Sequence, residues 1–246
     1  MNIVVVSIVR DFAMYEKCIR ENPYCAGLVL HPVDNRKDND HISVCYNRAL
    51  DTRPVDEDTW YVFCHEDWQL LEPLEPYLKE LDASALWGVI GAETRVRFGF
   101  YHQWRLIGCV EECRKDGSAH RIIGTAVEKG YPVETFDCQC LIVHSSLIQK
   151  HRLRFDENLT FDLYVEEFCM AAKENAGILS RILPVKACHW SGGSVQPRYY
   201  EQEAYVNSKY PSACYTGTSS WILGGKPPWG RRLTMAIKFL VRRFGA

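Results

Sequence analysis

The segment Trp60-Tyr61-Val62-Phe63-Cys64 runs without interruption into His65-Glu66-Asp67. Five apolar residues in a row, rich in aromatic and β-branched types, predict a strand buried on both faces. The polar triplet then ends it abruptly. Two adjacent carboxylates at the end of a buried strand repel each other and are costly to desolvate. A divalent cation beside them removes that cost, and carboxylate oxygens suit hard ions such as Mg²⁺ and Mn²⁺. The alternative is a solvated turn at a strand end. A Cys64/His65 nucleophile pair is disfavoured, because neighbours on a strand point to opposite faces.

The flanking sequence repeats the theme. Asn2–Val9 is a second buried strand, residues 12–21 read as a helix, and residues 26–33 form another buried strand ending at Asp34-Asn35. A polar loop leads to helical spacing over 42–50. Downstream, 74–81 reads as a helix and 86–91 as a strand. Strands alternating with helices predict an α/β fold with a mostly parallel sheet flanked by helices. From 93 to 132 glycine, arginine and aromatics mix without a period, so an irregular excursion is expected there. Order returns with a strand at 133–143, a turn at 153–158, a helix at 166–175 and a strand at 178–186 that leads to His189. In open α/β sheets the ligand crevice lies at the carboxyl ends of the strands, so Asp34 and His65-Glu66-Asp67 are expected to share one site.

Two further clusters could serve that site. His189 is followed by Trp190-Ser191-Gly192-Gly193-Ser194, a flexible loop whose backbone N–H groups could approach a phosphate. An imidazole added to carboxylates favours Mn²⁺ over Mg²⁺. The segment from Phe161 to Cys169 carries Asp162, Glu166 and Glu167 near a helix start. These acids either complement the helix dipole or supply a general base to a hydroxyl. Cys109, Cys113 and His120 have half the spacing of a zinc site, but no second pair stands at a matching distance.

Taken in order, the motifs resemble a known family. They are Val33-Asp34-Asn35; Tyr46-Asn47-Arg48-Ala49-Leu50; Tyr61-Val62-Phe63-Cys64-His65-Glu66-Asp67; Phe136-Asp137-Cys138-Gln139-Cys140-Leu141-Ile142-Val143; Arg154-Phe155-Asp156-Glu157; the acidic helix; and His189-Trp190-Ser191-Gly192-Gly193-Ser194. Over roughly residues 1–200 the chain resembles GT-A-type glycosyltransferases of family 2, in a bacterial branch whose metal motif reads His-x-Asp in place of Asp-x-Asp. The resemblance implies a GT-A fold, a Rossmann-like nucleotide-diphospho-sugar transferase architecture. It implies that Asp34, Asn47, Arg48 and Glu66 lie near the nucleotide. Asp67, His189 and His65 would bind Mn²⁺ or Mg²⁺, and Asp162, Glu166 or Glu167 would be the catalytic base. The activity implied is hexosyltransferase-like: a sugar moves from a nucleoside-diphosphate sugar to a hydroxyl on a glycan or lipid-linked acceptor, by one displacement with inversion. His65, standing where the commoner motif has Asp, and Glu166-Glu167, standing where the family has Glu-Asp, keep open a catalytically inactive relative that binds a nucleotide sugar or a partner protein. A nucleotidyltransferase is disfavoured, because Ser7-Ile8-Val9-Arg10-Asp11 lacks the glycines of a phosphate loop.

Composition agrees with a globular chain. Of 246 residues, 47% are hydrophobic and 24% charged, and the net charge of −2 argues against nucleic acid as a partner. The charge is uneven. Residues 204–246 contain seven basic residues and no acid, which leaves the first 203 residues at −9. A division into a GT-A domain over 1–203 and a basic tail over 204–246 is expected. In the tail Leu233, Ile237, Leu240, Val241 and Phe244 form one helical stripe, with Arg231, Arg232, Lys238, Arg242 and Arg243 opposite. Such a helix either packs its stripe on the domain or lies on a membrane surface. Eleven cysteines with no export signal point to reduced thiols and a cytoplasmic protein, at most peripheral to the membrane.

Overall fold

The computed structural model describes residues 1–52, 58–114, 116, 120–191, 195–220 and 222–244, and the side chains of all of these except 235 and 238–244. In chain order the elements are β1 (Asn2–Val9), α1 (Phe12–Tyr15), β2 (Val29–Asp34), α2 (Ile42–Thr52), β3 (Thr59–Cys64), β4 (Trp68–Leu70), α3 (Glu75–Leu78), β5 (Leu86–Gly88), β6 (Ile90–Arg97), β7 (Tyr101–Cys113) and β8 (His120–Thr125). They continue with β9 (Pro132–Val133), β10 (Thr135–Phe136), β11 (Cys140–His144), α4 (Ser145–His151), α5 (Tyr164–Ala176), β12 (Ser180–Ile182), β13 (Ala187–His189), α6 (Pro197–Lys209) and α7 (Trp229–Phe244).

The central sheet has the order β2-β1-β3-β11-β5-β12-β9. β2, β1 and β3 are parallel neighbours, β5 pairs parallel with β12, and β11 runs against both β3 and β5. Five of the seven strands therefore share one direction. Alternation along β1 feeds two cores. Val4, Val6 and Ile8 pack with Tyr46, Phe63, Phe155 and Phe168 on one face, and Ile3, Val5 and Val9 pack with Tyr15, Ile19 and Trp87 on the other. Burial on both faces is why β1 and β3 read as unbroken apolar runs; β2, expected to be buried, lies at the sheet edge and is only partly covered.

A second sheet, β10-β6-β7-β13-β4 with β8 on β7, replaces the irregular excursion expected over 93–132. β6 and β7 form a long hairpin from Ile90↔Gly108 to Arg97↔Tyr101, and β8 returns from Cys113↔His120 to Gly108↔Thr125. Alternation is blurred because both faces are only partly covered. Gly108 (φ +90°) and Gly124 (φ +92°) sit where the strands cross closest to one another: a methyl on Gly108 would strike the Val89 carbonyl, and one on Gly124 the Gly108 carbonyl.

The strand expected over 133–143 breaks into β9, β10 and β11, because Asp137 Oδ1 accepts hydrogen bonds from the backbone N and side-chain Nε2 of Gln139 and turns the chain. The one expected over 178–186 splits into β12 and β13, which belong to different sheets. The expected division after residue 203 falls inside α6, and residues beyond it return to the sheet. Thr135 Oγ1 donates to the Thr216 carbonyl at 2.7 Å, and Trp104 Nε1 to the Gly217 carbonyl at 3.0 Å. No helix among the described residues is long and apolar enough to cross a membrane.

Candidate active site

The carboxyl ends of β1, β2 and β3 open on one cleft of about 1310 Å³, lined by Arg10, Asn35, Glu66, Asp67, Glu166 and His189 among others. That exceeds the roughly 300–1,000 Å³ usual for a pocket that holds one small ligand.

The turn after β3 is fastened at both ends. His65 N donates to the Gln139 carbonyl at 3.1 Å, and Trp190 N donates to the Asp67 carbonyl at 2.9 Å. β4 pairs with β13 so that His189 faces Trp68, which brings His189 beside Asp67. Among the described residues, His65, Asp67 and His189 form the one group able to hold a metal, with ligand atoms all within 4.8 Å. His65 Nδ1 lies 4.0 Å and His189 Nε2 3.3 Å from Asp67 Oδ1. Metal bonds of about 2.1 Å set ligand atoms about 3–4 Å apart.

Hydrogen bonding prepares His65 for that role. Tyr164 Oη donates its one proton to the Cys138 carbonyl at 2.7 Å, so at 2.9 Å from His65 Nε2 it accepts. Nε2 therefore carries the hydrogen, and the Nδ1 lone pair faces Asp67. Burial lowers the His65 pKa and favours this neutral form. His189 Nε2 is buried but off the line of a hydrogen bond to Asp67. Burial acts to lower the His189 pKa, yet Asp67, Asp137 and Glu112 together raise it. Two imidazoles and a carboxylate fit Mn²⁺, with Mg²⁺ less favoured by the nitrogens.

The second feature is an acid pair. Thr218 Oγ1 stands 3.0 Å from Asp137 Oδ2 and 3.1 Å from Glu166 Oε1. One hydroxyl proton cannot satisfy two carboxylates, so the arrangement favours a proton on one of them. Cys138 Sγ donates to Glu166 Oε2 at 3.0 Å. Burial and then Asp137 push Glu166 up to about 7. A carboxyl that titrates near the working pH suits general base or acid chemistry.

The other residues singled out in the sequence are distributed as follows. Glu66 accepts from Arg10 N at 2.5 Å and Asp11 N at 3.1 Å, tying the end of β3 to that of β1; burial raises its pKa. Asp162 lines the cleft in an ion pair with Arg198 Nε at 2.7 Å. Glu167 points away from it, accepting from Lys209 Nζ at 2.7 Å and Tyr210 Oη at 2.6 Å. Successive helix residues diverge by about 100°, which is why neighbours on α5 serve different surfaces. Asp34 is exposed and held at about 2 by hydrogen bonds from Arg36. Asn47 is buried, donating to the Phe155 carbonyl and to Glu157 while accepting from Phe155 N. Arg48 pairs with Asp40 at 3.0 Å. Asp34, Asn47 and Arg48 do not line the cleft. The glycine loop after Ser191 lies outside the described residues. Cys109, Cys113 and His120 do not converge: Cys113 Sγ faces Cys188 Sγ and His120 pairs with Glu111.

Asp137, Cys138, Tyr164 and Thr218 carried no role in the sequence reading. Asp137 interrupts an apolar run, which was the available signal; Cys138 reads as part of that run. Thr218 offered none, since only the fold brings it to α5.

No protein-family profile matches the chain, and no curated protein matches it by sequence. Solved structures do. S. aureus TarS residues 1–349 are similar at TM-score 0.50 and 13% identity, over 87% of this chain and 66% of that one. A longer TarS structure gives TM-score 0.50 and 13% identity, over 99% of this chain and 44% of TarS. TarS 1–349 solved in complex with UDP-GlcNAc gives TM-score 0.49 and 15% identity, over 100% and 73%. The chain thus spans less than half the length of the longer TarS structure and 66% of the first TarS 1–349 structure. The shared architecture is that of GT-A-type glycosyltransferases, and this chain has the GT-A fold.

Proposed function

We propose that the chain is a glycosyltransferase that moves a sugar from a nucleoside-diphosphate sugar to an acceptor hydroxyl, with help from a divalent cation and with inversion. The observation that carries this reading is the presence, in one cleft of a GT-A fold, of the His65–Asp67–His189 group and of a carboxyl poised near 7. His65, Asp67 and His189 would hold Mn²⁺ or Mg²⁺. Such an ion supplies positive charge to the departing diphosphate. Glu166 takes the proton of the acceptor hydroxyl as that oxygen attacks the anomeric carbon from the face opposite the leaving group. Glu166 is preferred as base because Asp162 is already neutralised by Arg198 and Glu167 by Lys209.

A thermal-shift screen of nucleoside diphosphates, with and without Mn²⁺, tests the donor half of this proposal. At a ligand concentration 100 times Kd, binding stabilises by about 2.7 kcal/mol, which is readily measured. The stabilisation should need both nucleotide and Mn²⁺, and Asp67→Ala should remove it. An undiminished shift in Asp67→Ala would take Asp67 out of the site.

A further inference from the structure

α7 docks the wrong way round for a helix that ends its business on the domain. Among its described side chains, those of residues 229–234, 236 and 237, the buried ones are the polar Arg231 and Thr234, with Gly230 packed beside them. Thr234, with no exposed surface, accepts from His102 N at 3.0 Å and donates to the Gly230 carbonyl at 2.9 Å. Arg231, 5% exposed, donates to the Tyr215 carbonyl at 3.1 Å. Gly230 lies against the Phe100 carbonyl. The apolar side looks outward instead, with Trp229 69%, Leu233 40% and Ile237 39% exposed. Leu233 and Ile237, the two members of the stripe whose side chains are described, are therefore only partly covered by the domain. In sequence the same register continues with Leu240, Val241 and Phe244.

A second element reaches the same end of the molecule. The tip of the β6–β7 hairpin, which touches the first turn of α7 through Phe100, carries Phe98 at 87% and Phe100 at 41% exposure. Phe98 has φ +53° and is followed by Gly99 at +75°. Both central residues of the turn are thus left-handed, a conformation that strains a bulky side chain. The strain places an aromatic ring at the most exposed point of the hairpin, where folding gains nothing from it.

The charge around this apolar surface has one sign. Arg95 and Arg97 flank the hairpin tip, and Lys226 and Arg232 flank the start of α7; all four are exposed. Residues 94–104 and 204–246 contain no acid. The acids nearest in the sheet, Glu93 and Glu134, face Arg105 and Arg231. Exposed aromatic and aliphatic groups rimmed by uncompensated basic residues match an interface of lipid tails and anionic headgroups. A second copy of the chain would need free acids to answer these charges, and the nearby acids of the sheet, Glu93 and Glu134, are already paired with Arg105 and Arg231.

We infer that the hairpin tip Phe98–Phe100 and the outward face of α7 together form a docking surface for an anionic lipid bilayer. Each basic residue near such a surface contributes roughly fivefold to partitioning. The test is sedimentation of the full chain with vesicles of phosphatidylcholine alone or mixed with phosphatidylglycerol. The chain should pellet with the mixed vesicles and much less with phosphatidylcholine, and added salt should weaken the binding. Phe98→Ser with Trp229→Ser should lower it about tenfold or more. Lys226→Glu with Arg232→Glu should abolish the preference for phosphatidylglycerol. All four positions are exposed, so melting temperatures should stay near that of the parent. Negligible pelleting with both vesicle types overturns the proposal, as does binding that neither double variant reduces. A dimer in gel filtration that dissociates in Phe98→Ser/Trp229→Ser, without vesicle binding, makes the face a subunit interface and overturns it equally.

Discussion

Glu166 stands at about 7 because burial disfavours its charged form and Asp137 adds like charge. Two consequences follow at the scale of this residue. As the proposed base it must be ionised, so turnover should rise as pH climbs through about 7, and Glu166→Gln should lose about 10²–10⁴-fold in rate while still binding donor. A raised carboxyl also stabilises the fold below its ordinary value of 4.5 and loses that contribution as pH rises through about 7. Urea denaturation between pH 5 and 8 should show the wild type losing stability relative to Glu166→Gln, by about 1.4 kcal/mol for each pKa unit spanned; parallel profiles would contradict this. Asn47 makes the opposite case. The resemblance placed it near the nucleotide, whereas its amide clamps both backbone groups of Phe155. Asn47→Ala leaves a buried N–H and C=O without partners, each costing about 1–3 kcal/mol. Its melting temperature should fall by several degrees while nucleotide binding in the folded fraction is unchanged. A motif marks a position, but the same Asn can serve a ligand or a loop, and only the fold distinguishes them.

Among the elements, the buried parallel strands were legible because burial on both faces writes itself as a continuous apolar run. The β6–β8 ribbon was not, since half-covered strands lose alternation and Gly108 and Gly124 read as loop signals. Their role is steric. Gly108→Ala forces a left-handed alanine against the Val89 carbonyl and should cost about 1–3 kcal/mol, or more if the ribbon cannot yield. For a chain of this size that is a drop of about 2–4 °C per kcal/mol, and an unchanged melting temperature would show that the ribbon bends freely there. α5 shows a finer limit. Its sequence offered Glu166 and Glu167 as equals, and the face each residue takes was settled by Lys209 and Thr218, contributed by α6 and by the chain beyond it.

On the scale of the whole molecule, the alternation of strands and helices sufficed for the α/β class, and ordered motifs for the GT-A expectation. What sequence could not convey is contact between distant segments. Thr218 completes the acid pair from 81 residues beyond Asp137, and β13 delivers His189 to Asp67 through its pairing with β4. The charge asymmetry was visible, but the direction in which α7 turns its apolar face was not. The central claim is that one cleft both holds the donor and carries the base. It is tested most directly by measuring nucleoside diphosphate released from a panel of nucleoside-diphosphate sugars with Mn²⁺ present or chelated, in wild type, Asp67→Ala and Glu166→Gln. Release by the wild type should depend on Mn²⁺, Asp67→Ala should lose both binding and release, and Glu166→Gln should lose release while retaining binding. Release that survives in Glu166→Gln, or donor binding by the wild type with no release from any member of the panel, would contradict that claim.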